Sequence, residues 1–403
     1  MSIADPVSHR AAARPAAPKT PSVRVLVVLP RNLDADLWAQ RYARGEVPDE
    51  TPYGYHFARR MGCEVVFSRP TPTPGGLAGL FDKAFRRLLG FDIRHIWANR
   101  DLIADAGRHD CVWTHTENEH LAIGLLKALL RSSHRVPPLI AQSIWLADEW
   151  PRWSRLRQAL YRRLMRDADV HTVHSPLNAQ VLRELRLGRR VEIVEFGISL
   201  DSFPGAAQAP AARAREEGQP VRVFALGNDR HRDWACLAEA LGGRDGYEVR
   251  IGSSRFPARL AAPNIQAGPM TQAEVMACHD WADCCVIPLR HNLHVSGMTT
   301  VLEAVAMGMP VLAARAGGLP HYFDDRCVTY YEPGDPDDLR CQLDALVRDP
   351  ARRLALAQAA RQTLLDREFT SEGFARRHVR LTRTMLPSGP RENTDVSARN
   401  LLA

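Results

Sequence analysis

The feature that most constrains this chain is a rhythm of short β-branched runs and helical stretches that runs once, breaks off, and begins again. In the first block, Val23–Leu29, Glu64–Phe67, Asp110–Thr114, Pro138–Ala141, Val170–His174 and Val191–Val194 have the length and composition of buried strands. Helical periodicity fills the gaps, as at His120–Leu130 and Arg155–Arg166. Strands alternating with helices predict a parallel sheet covered on both faces, because each parallel connection must cross over the sheet. Residues 204–220, PGAAQAPAARAREEGQP, break the pattern. Val221–Gly227 then opens a second block, with strands expected at Tyr247–Gly252, Cys284–Pro288 and Pro310–Ala314. Helices are expected at Trp234–Leu241, Thr271–Asp280, Thr299–Met307 and Asp337–Arg348. The predicted class is α/β: two doubly wound halves facing a central cleft, with ligands at the carboxyl ends of the strands.

This gives a provisional division of the 403 residues. Residues 1–22, rich in Ala and Pro, read as a disordered tail. Residues 23–203 form the first domain, 204–220 a linker and 221–370 the second domain. Residues 371–403 read as a C-terminal helix, with a possible crossing back to the first domain, and a tail. At 45% hydrophobic and 25% charged, the chain is too apolar for general disorder. It has no apolar run of about 18–20 residues, so no transmembrane helix is expected. Its N-terminus lacks the apolar stretch of a signal peptide. The eight scattered cysteines form no CxxC pair, which predicts buried, reduced thiols in a cytoplasmic protein.

The net charge of +7 is uneven. Residues 151–190 hold ten arginines and three acids, an excess equal to that of the whole chain. Such a surface attracts phosphate groups, and the same pattern also fits a solvated helix face. Leu80–Leu89 mixes large apolar side chains with Lys83, Arg86 and Arg87, the pattern of an amphipathic basic helix on an anionic membrane or of a packed surface helix. No nucleic-acid reading motif accompanies the arginines. A nicotinamide-dependent dehydrogenase is disfavoured, since the first strand runs into Leu29-Pro30-Arg31-Asn32 with no GxGxxG.

The most informative stretch is Ser296-Gly297-Met298-Thr299-Thr300 followed by Val301–Leu312. Small and hydroxyl residues open a helix whose free N–H groups and partial positive charge suit a phosphate. Glu303, one turn in, is placed to accept hydrogen bonds from a ribose diol, and a capped helix with an exposed Glu reads equally well. Around it stand Gly227, Arg230–Trp234, Ile251-Gly252, Ile265–Met270, Ala282-Asp283, Ile287-Pro288, Ala316–Pro320, Gly334-Asp335 and Asp349-Pro350, in that order. Earlier come Asp169-Val170, His174-Ser175, Phe196-Gly197-Ile198, Asp201 and Phe203. This ordered set resembles the retaining family-4-type glycosyltransferases (glycosyl transferases group 1), which have the GT-B fold of two Rossmann-like domains. The resemblance covers most of 165–380, whereas 23–165 matches only in plan.

The resemblance implies a nucleoside diphosphate sugar as donor, with no cofactor or metal required. It implies that Arg232 pairs with the donor diphosphate, with Arg230 as a second cation. Ser296, Gly297, Thr299 and Thr300 would meet the same group, Glu303 the ribose, and Gln266 with Ile265 the base. Arg232, Glu303 and His115 are the expected catalytic residues. A fixed cation there offsets charge growing on the leaving diphosphate. Two departures stand out. The family's first glutamate, eight positions before Glu303, is here Val295, which leaves sugar hydroxyls to backbone or to His294. The family's histidine after the fourth strand is missing from Gln142-Ser143-Ile144-Trp145, which leaves His115, Asp148 or Glu149 to take over. His115 and Glu117 follow a strand and precede a helix, and are expected to face the cleft. Tyr53, Gly54 and Glu117 are expected on the acceptor side, Glu117 to orient an acceptor hydroxyl and Gly54 for close backbone approach, while Tyr53 and Tyr55 either stack on a sugar or brace the loop.

The expected activity is transfer of a hexose-type sugar to an acceptor hydroxyl, on a polysaccharide or a lipid-linked glycan, by a cytoplasmic enzyme with peripheral contact to the inner membrane face. The competing readings are a sugar-nucleotide epimerase or hydrolase of the same architecture, or a non-catalytic nucleotide-sugar- or glycan-binding protein.

Overall fold

The computed structural model describes residues 22–130, 136–211 and 218–386. The tail expected at 1–22 lies outside it except for Ser22, as do 212–217 of the expected linker and 387–403 of the expected C-terminal tail. The first sheet contains β1 (Val23–Val28), β2 (Cys63–Phe67), β3 (Cys111–Thr114), β4 (Leu139–Gln142), β5 (Val170–Val173) and β6 (Val191–Ile193). The second contains β7 (Val221–Leu226), β8 (Tyr247–Gly252), β9 (Ile265–Gly268), β10 (Cys284–Ile287), β11 (Val311–Ala314) and β12 (Thr329–Tyr331). Both sheets are parallel, in the orders 2-1-3-4-5-6 and 12-11-10-7-8-9. Strand order therefore reverses beside β1 and β3 in one half and beside β7 and β10 in the other. Loops diverge at these points and leave a crevice at the carboxyl ends.

The strands are buried on both faces, which explains their continuous apolar runs: β3, β4, β5, β10 and β11 bury every residue. Local signals fix many helix starts. Thr271 and Glu274 form a reciprocal capping box before the helix Gln272–Trp281. Asp335 accepts from the N–H groups of Asp337 and Asp338, with Pro336 in the first turn of Pro336–Arg348. Seven cysteines are buried and all eight are free thiols, but Cys341 is exposed, so burial of all the thiols does not hold.

The last helix, Ser371–Met385, packs on the first half rather than the second. Phe374 and His378 lie against Tyr55, and the Trp113 indole N–H donates to Thr382 Oγ1 at 2.8 Å. The end of the chain thus completes the core of its beginning. Truncating the fully buried Phe374 to Ala would cost about 3–5 kcal/mol. Gly54 belongs to this contact. It has φ +70, and a Cβ there would lie 2.3 Å from Ser371 Cβ. The close approach expected of Gly54 is to this helix, not to a ligand.

The halves meet at several further points. Tyr322 Oη donates to the His174 carbonyl at 3.0 Å and accepts from Phe196 N at 2.8 Å. Leu293, from the second half, packs on the apolar core of the first. Among the described residues, no helix is long and apolar enough to cross a membrane.

Candidate active site

The loops leaving β7 and β10 are stitched together. Asp233 N donates to Pro288 O at 2.9 Å, and Arg290 N donates to His231 O at 2.8 Å. Their shared floor is Arg232, only 5% exposed. Its Nη2 donates to Thr300 Oγ1 at 3.1 Å, while Nε and Nη1 are buried without a hydrogen-bond partner among the described residues. Burial draws its pKa down to about 10, opposed by Asp229, so the group is still a cation at neutral pH. A buried guanidinium with two unused nitrogens is costly unless an anion completes it.

Two glycines make its slot: a Cβ on Gly227 (φ +143) would sit 2.2 Å from Arg232 Nε, and one on Gly297 (φ +80) 2.7 Å from Nη1. Gly297 also heads the helix Met298–Ala306, whose first turn has no side-chain cap. Free N–H groups, helix dipole and guanidinium therefore converge on one place, an arrangement suited to a diphosphate. Thr299 is exposed in the first turn. Thr300 turns inward, accepting from Arg232 and donating to Leu226 O at 3.3 Å, so its hydroxyl holds the arginine rather than meeting a ligand. Ser296 Oγ is likewise spent on Asp229 Oδ1 at 3.0 Å. Glu303 is half-buried one turn into the helix. Burial pushes its carboxyl up to about 7, with the Arg232 charge pulling the other way.

A second cluster spans the cleft. Asp148, in the short helix Leu146–Glu149 after β4, accepts from Leu293 N (2.7 Å), His294 N (3.1 Å) and His294 Nδ1 (2.8 Å). His294 Nε2 points at Asp229 Oδ2, 3.5 Å away, and His231 Nδ1 lies 3.2 Å from Asp229 Oδ1. Burial would favour a neutral His294, yet Asp148 and Asp229 raise its pKa. Burial also opposes ionisation of Asp229, but hydrogen bonds from His231 and His294 hold its pKa below the usual carboxylate range. Arg230 pairs with Glu149 across the same gap. Among the described residues, Asp148, His231 and His294 are the group that could hold a metal, with one ligating atom each within 4.8 Å of one another. Their present hydrogen bonds make them an ion-paired latch between the halves.

A cavity of about 650 Å³ opens beside this latch, lined by Glu117, Asn118 and Trp145 from the first half and Asn228, Asp229 and Arg230 from the second. That volume fits a nucleotide-sized ligand. The first half's expected residues are placed differently from the sequence reading. His115 is buried. Tyr53 lies flat on its ring at 3.3 Å, and Tyr55 Oη is 3.0 Å from Nδ1. Burial, with His174 and His378 nearby, holds its pKa well below normal, so it is a neutral packed imidazole and not an open cleft residue. Tyr53, expected on the acceptor side, lies over His115. Glu117 does line the cavity, but its carboxylate accepts from Ile144 N (3.0 Å) and Trp145 N (3.1 Å). It thereby fixes the turn that presents Asp148 and Glu149. Gln266 is exposed on β9, the edge strand, and takes no part in the cavity wall.

The sequence reading missed Asp229, the shared acceptor of both histidines and Ser296, although it sits between two landmarks. It also missed Trp145, Trp153 and Tyr161 as the cavity's aromatic wall.

Comparison with known proteins agrees with this geometry. Residues 230–379 match the family model described as glycosyl transferase-like. A GDP-mannose-dependent alpha-(1-6)-phosphatidylinositol monomannoside mannosyltransferase from Mycolicibacterium smegmatis is 37% identical over 244 residues. That match takes in 53% of this chain and 63% of the relative's length. The fold is shared with sucrose-phosphate synthase from Thermosynechococcus elongatus, at a TM-score of 0.64 and 16% identity over 90% of this chain and 99% of that one. It is shared also with Anabaena HepE in complex with UDP-glucose, at a TM-score of 0.61 and 13% identity over 90% and 100% of the two chains. By fold the chain is therefore a GT-B protein of two Rossmann-like halves, and its residues 230–379 carry the likeness to glycosyl transferases.

Proposed function

We propose that this protein moves a hexose-type sugar from a nucleoside diphosphate donor to an acceptor hydroxyl on a polysaccharide or a lipid-linked glycan. The observation that carries this reading is Arg232: a buried cation with two unpartnered nitrogens, facing the uncapped start of the 298–306 helix. Such a site is incomplete without an anion. As the glycosidic bond breaks, negative charge grows on the departing diphosphate, and a preorganised cation in a dry site stabilises it. Glu303 accepts hydrogen bonds from the ribose. The sugar projects towards Asp229, His294 and the cavity, where those groups stand in for the family glutamate replaced by Val295. Attack on the face the diphosphate leaves, with the phosphate taking the acceptor proton, retains the anomeric configuration. The latch holds the halves together and keeps water from the reacting centre.

The replacement at position 295 favours a second reading, a non-catalytic nucleotide-sugar- or glycan-binding protein. Val295 is buried, and a Cβ on Gly318 would lie 2.6 Å from it, so the position is packed rather than open to a sugar. One experiment separates the readings. Nucleotide sugars are screened for thermal stabilisation, and the stabilising donor is then incubated with and without acceptor glycans. Release of nucleoside diphosphate that depends on acceptor supports transfer. Release without acceptor points to a hydrolase, an isomerised donor to an epimerase, and binding with no turnover to the non-catalytic reading.

A further inference from the structure

The helix Gly76–Leu89 carries an apolar stripe that nothing among the described residues covers. Leu77, Phe81 and Leu88 are 75%, 73% and 69% exposed, and Leu80 and Phe85 lie between them. Their spacing puts all five on one side of the helix. An apolar face of this kind on a folded chain marks a docking surface.

Three features say what docks. Lys83 and Arg87 fall along one border of the stripe, exposed and without an ion pair among the described residues. Long cationic stems there can lie along apolar surface while their charges reach outward. The nearby acids are turned away: Asp82 and Asp92 both pair with the buried Arg31, at 2.8 and 2.9 Å. A neighbouring helix, Arg155–Met165, adds a further exposed apolar side chain, Leu156, which is 83% exposed beside Arg155. The last turn of the first helix is tied to the second, Arg157 donating to Leu88 O and Tyr161 Oη to Leu89 O, both at 2.7 Å. The resulting surface is apolar at its centre and cationic at its border.

The inward border of the first helix forms the wall of a second cavity, about 550 Å³, lined by Arg31, Asn32, Lys83, Arg86, Arg87 and Asn118 among others. It shares Gly90 and Asn118 with the cleft cavity. The two cavities therefore adjoin at these residues.

We propose that the 76–89 and 155–165 helices seat the protein on an anionic lipid bilayer, and that the acceptor enters from that bilayer through the second cavity. The docking claim stands on the surface alone. The acceptor route rests on the glycosyltransferase reading.

The test is cosedimentation of the full chain with vesicles of phosphatidylcholine, alone or mixed with phosphatidylglycerol. The expected result is binding to the mixed vesicles, at least about tenfold above phosphatidylcholine alone and weakening with salt. Phe81→Ser with Phe85→Ser, and Lys83→Glu with Arg87→Glu, should each lower that binding about tenfold or more. Phe81 and Phe85 are exposed and line neither of these two cavities, so in that variant melting temperature and nucleotide-induced stabilisation should not change. Failure of the wild type to bind, equal binding to both vesicles, or undiminished binding by both variants would overturn the proposal. So would conversion of a wild-type dimer to monomer by Phe81→Ser with Phe85→Ser, which would assign the face to a second copy of the chain. Loss of nucleotide stabilisation in the wild type itself would instead count against the donor site and leave the vesicle result standing.

Discussion

Asp148 and His294, one from each half, meet across the cleft with the imidazole Nδ1 2.8 Å from a carboxylate oxygen. Both paired side chains are largely covered, and Asp229 faces the other ring nitrogen. The pKa of His294 is raised above the ordinary 6.5. The stabilisation it supplies is therefore complete below about pH 6.5 and is lost as pH rises through the higher folded value. Asp148→Asn should destabilise the protein by up to about 3 kcal/mol at low pH and flatten that dependence. Urea melts between about pH 6 and pH 9 would show this. An unchanged slope in the variant would mean that the pair does not hold the halves together.

Arg232 should trade stability for binding. Its guanidinium is buried with a single side-chain hydrogen bond, so an apolar replacement of similar length removes an uncompensated charge. Arg232→Met is expected to melt at or above the wild-type temperature and to lose stabilisation by every nucleoside diphosphate. A variant that binds nucleotide normally would place the phosphates elsewhere.

Gly297→Ala tests the same pocket from the backbone. The residue sits at φ +80, where an L side chain costs about 1–2 kcal/mol. The new methyl would also lie 2.7 Å from Arg232 Nη1. Donor affinity should fall at least about tenfold with only a modest fall in stability. Titration calorimetry against the wild type's best nucleotide sugar would measure it.

Much of the C-terminal site was legible because its signals are local. A strand, small residues and a helix start place Gly297 and Glu303 within one loop, and the helix at Trp234–Leu241 has the limits its periodicity predicts. Strands β9 and β12 were not legible as strands: one lies at a sheet edge with exposed Gln266 and Ala267, and the other has only three residues. His294 and Asp148 each stood out near the sugar, but their pairing could not be read, since they are 146 positions apart and meet only when the halves face each other. His115 misled for a related reason. A histidine after a strand points to the cleft, but Tyr53, in a left-handed conformation rare for tyrosine (φ +62), folds over it.

Glu303 links the donor site to pH. Burial raises its carboxyl to about 7, so near neutrality the free protein is a mixture of protonated and ionised forms. An ionised carboxylate accepts from both hydroxyls of a ribose diol, whereas the protonated acid must give up part of that capacity. The diphosphate of a nucleotide sugar is fully ionised across this range and adds no titration of its own. Donor affinity should therefore rise between about pH 6 and pH 8 in the wild type and stay flat, and about 10–100-fold weaker at the upper end, in Glu303→Gln. Stability should run the other way. An acid whose folded pKa exceeds its unfolded value binds the proton more tightly in the native state, so the native state loses up to about 3 kcal/mol as pH climbs from about 4.5 to 7. Glu303→Gln escapes that loss and should be the more stable protein at about pH 8. A variant that loses stability there while retaining pH-dependent donor binding would show that another group titrates at the ribose.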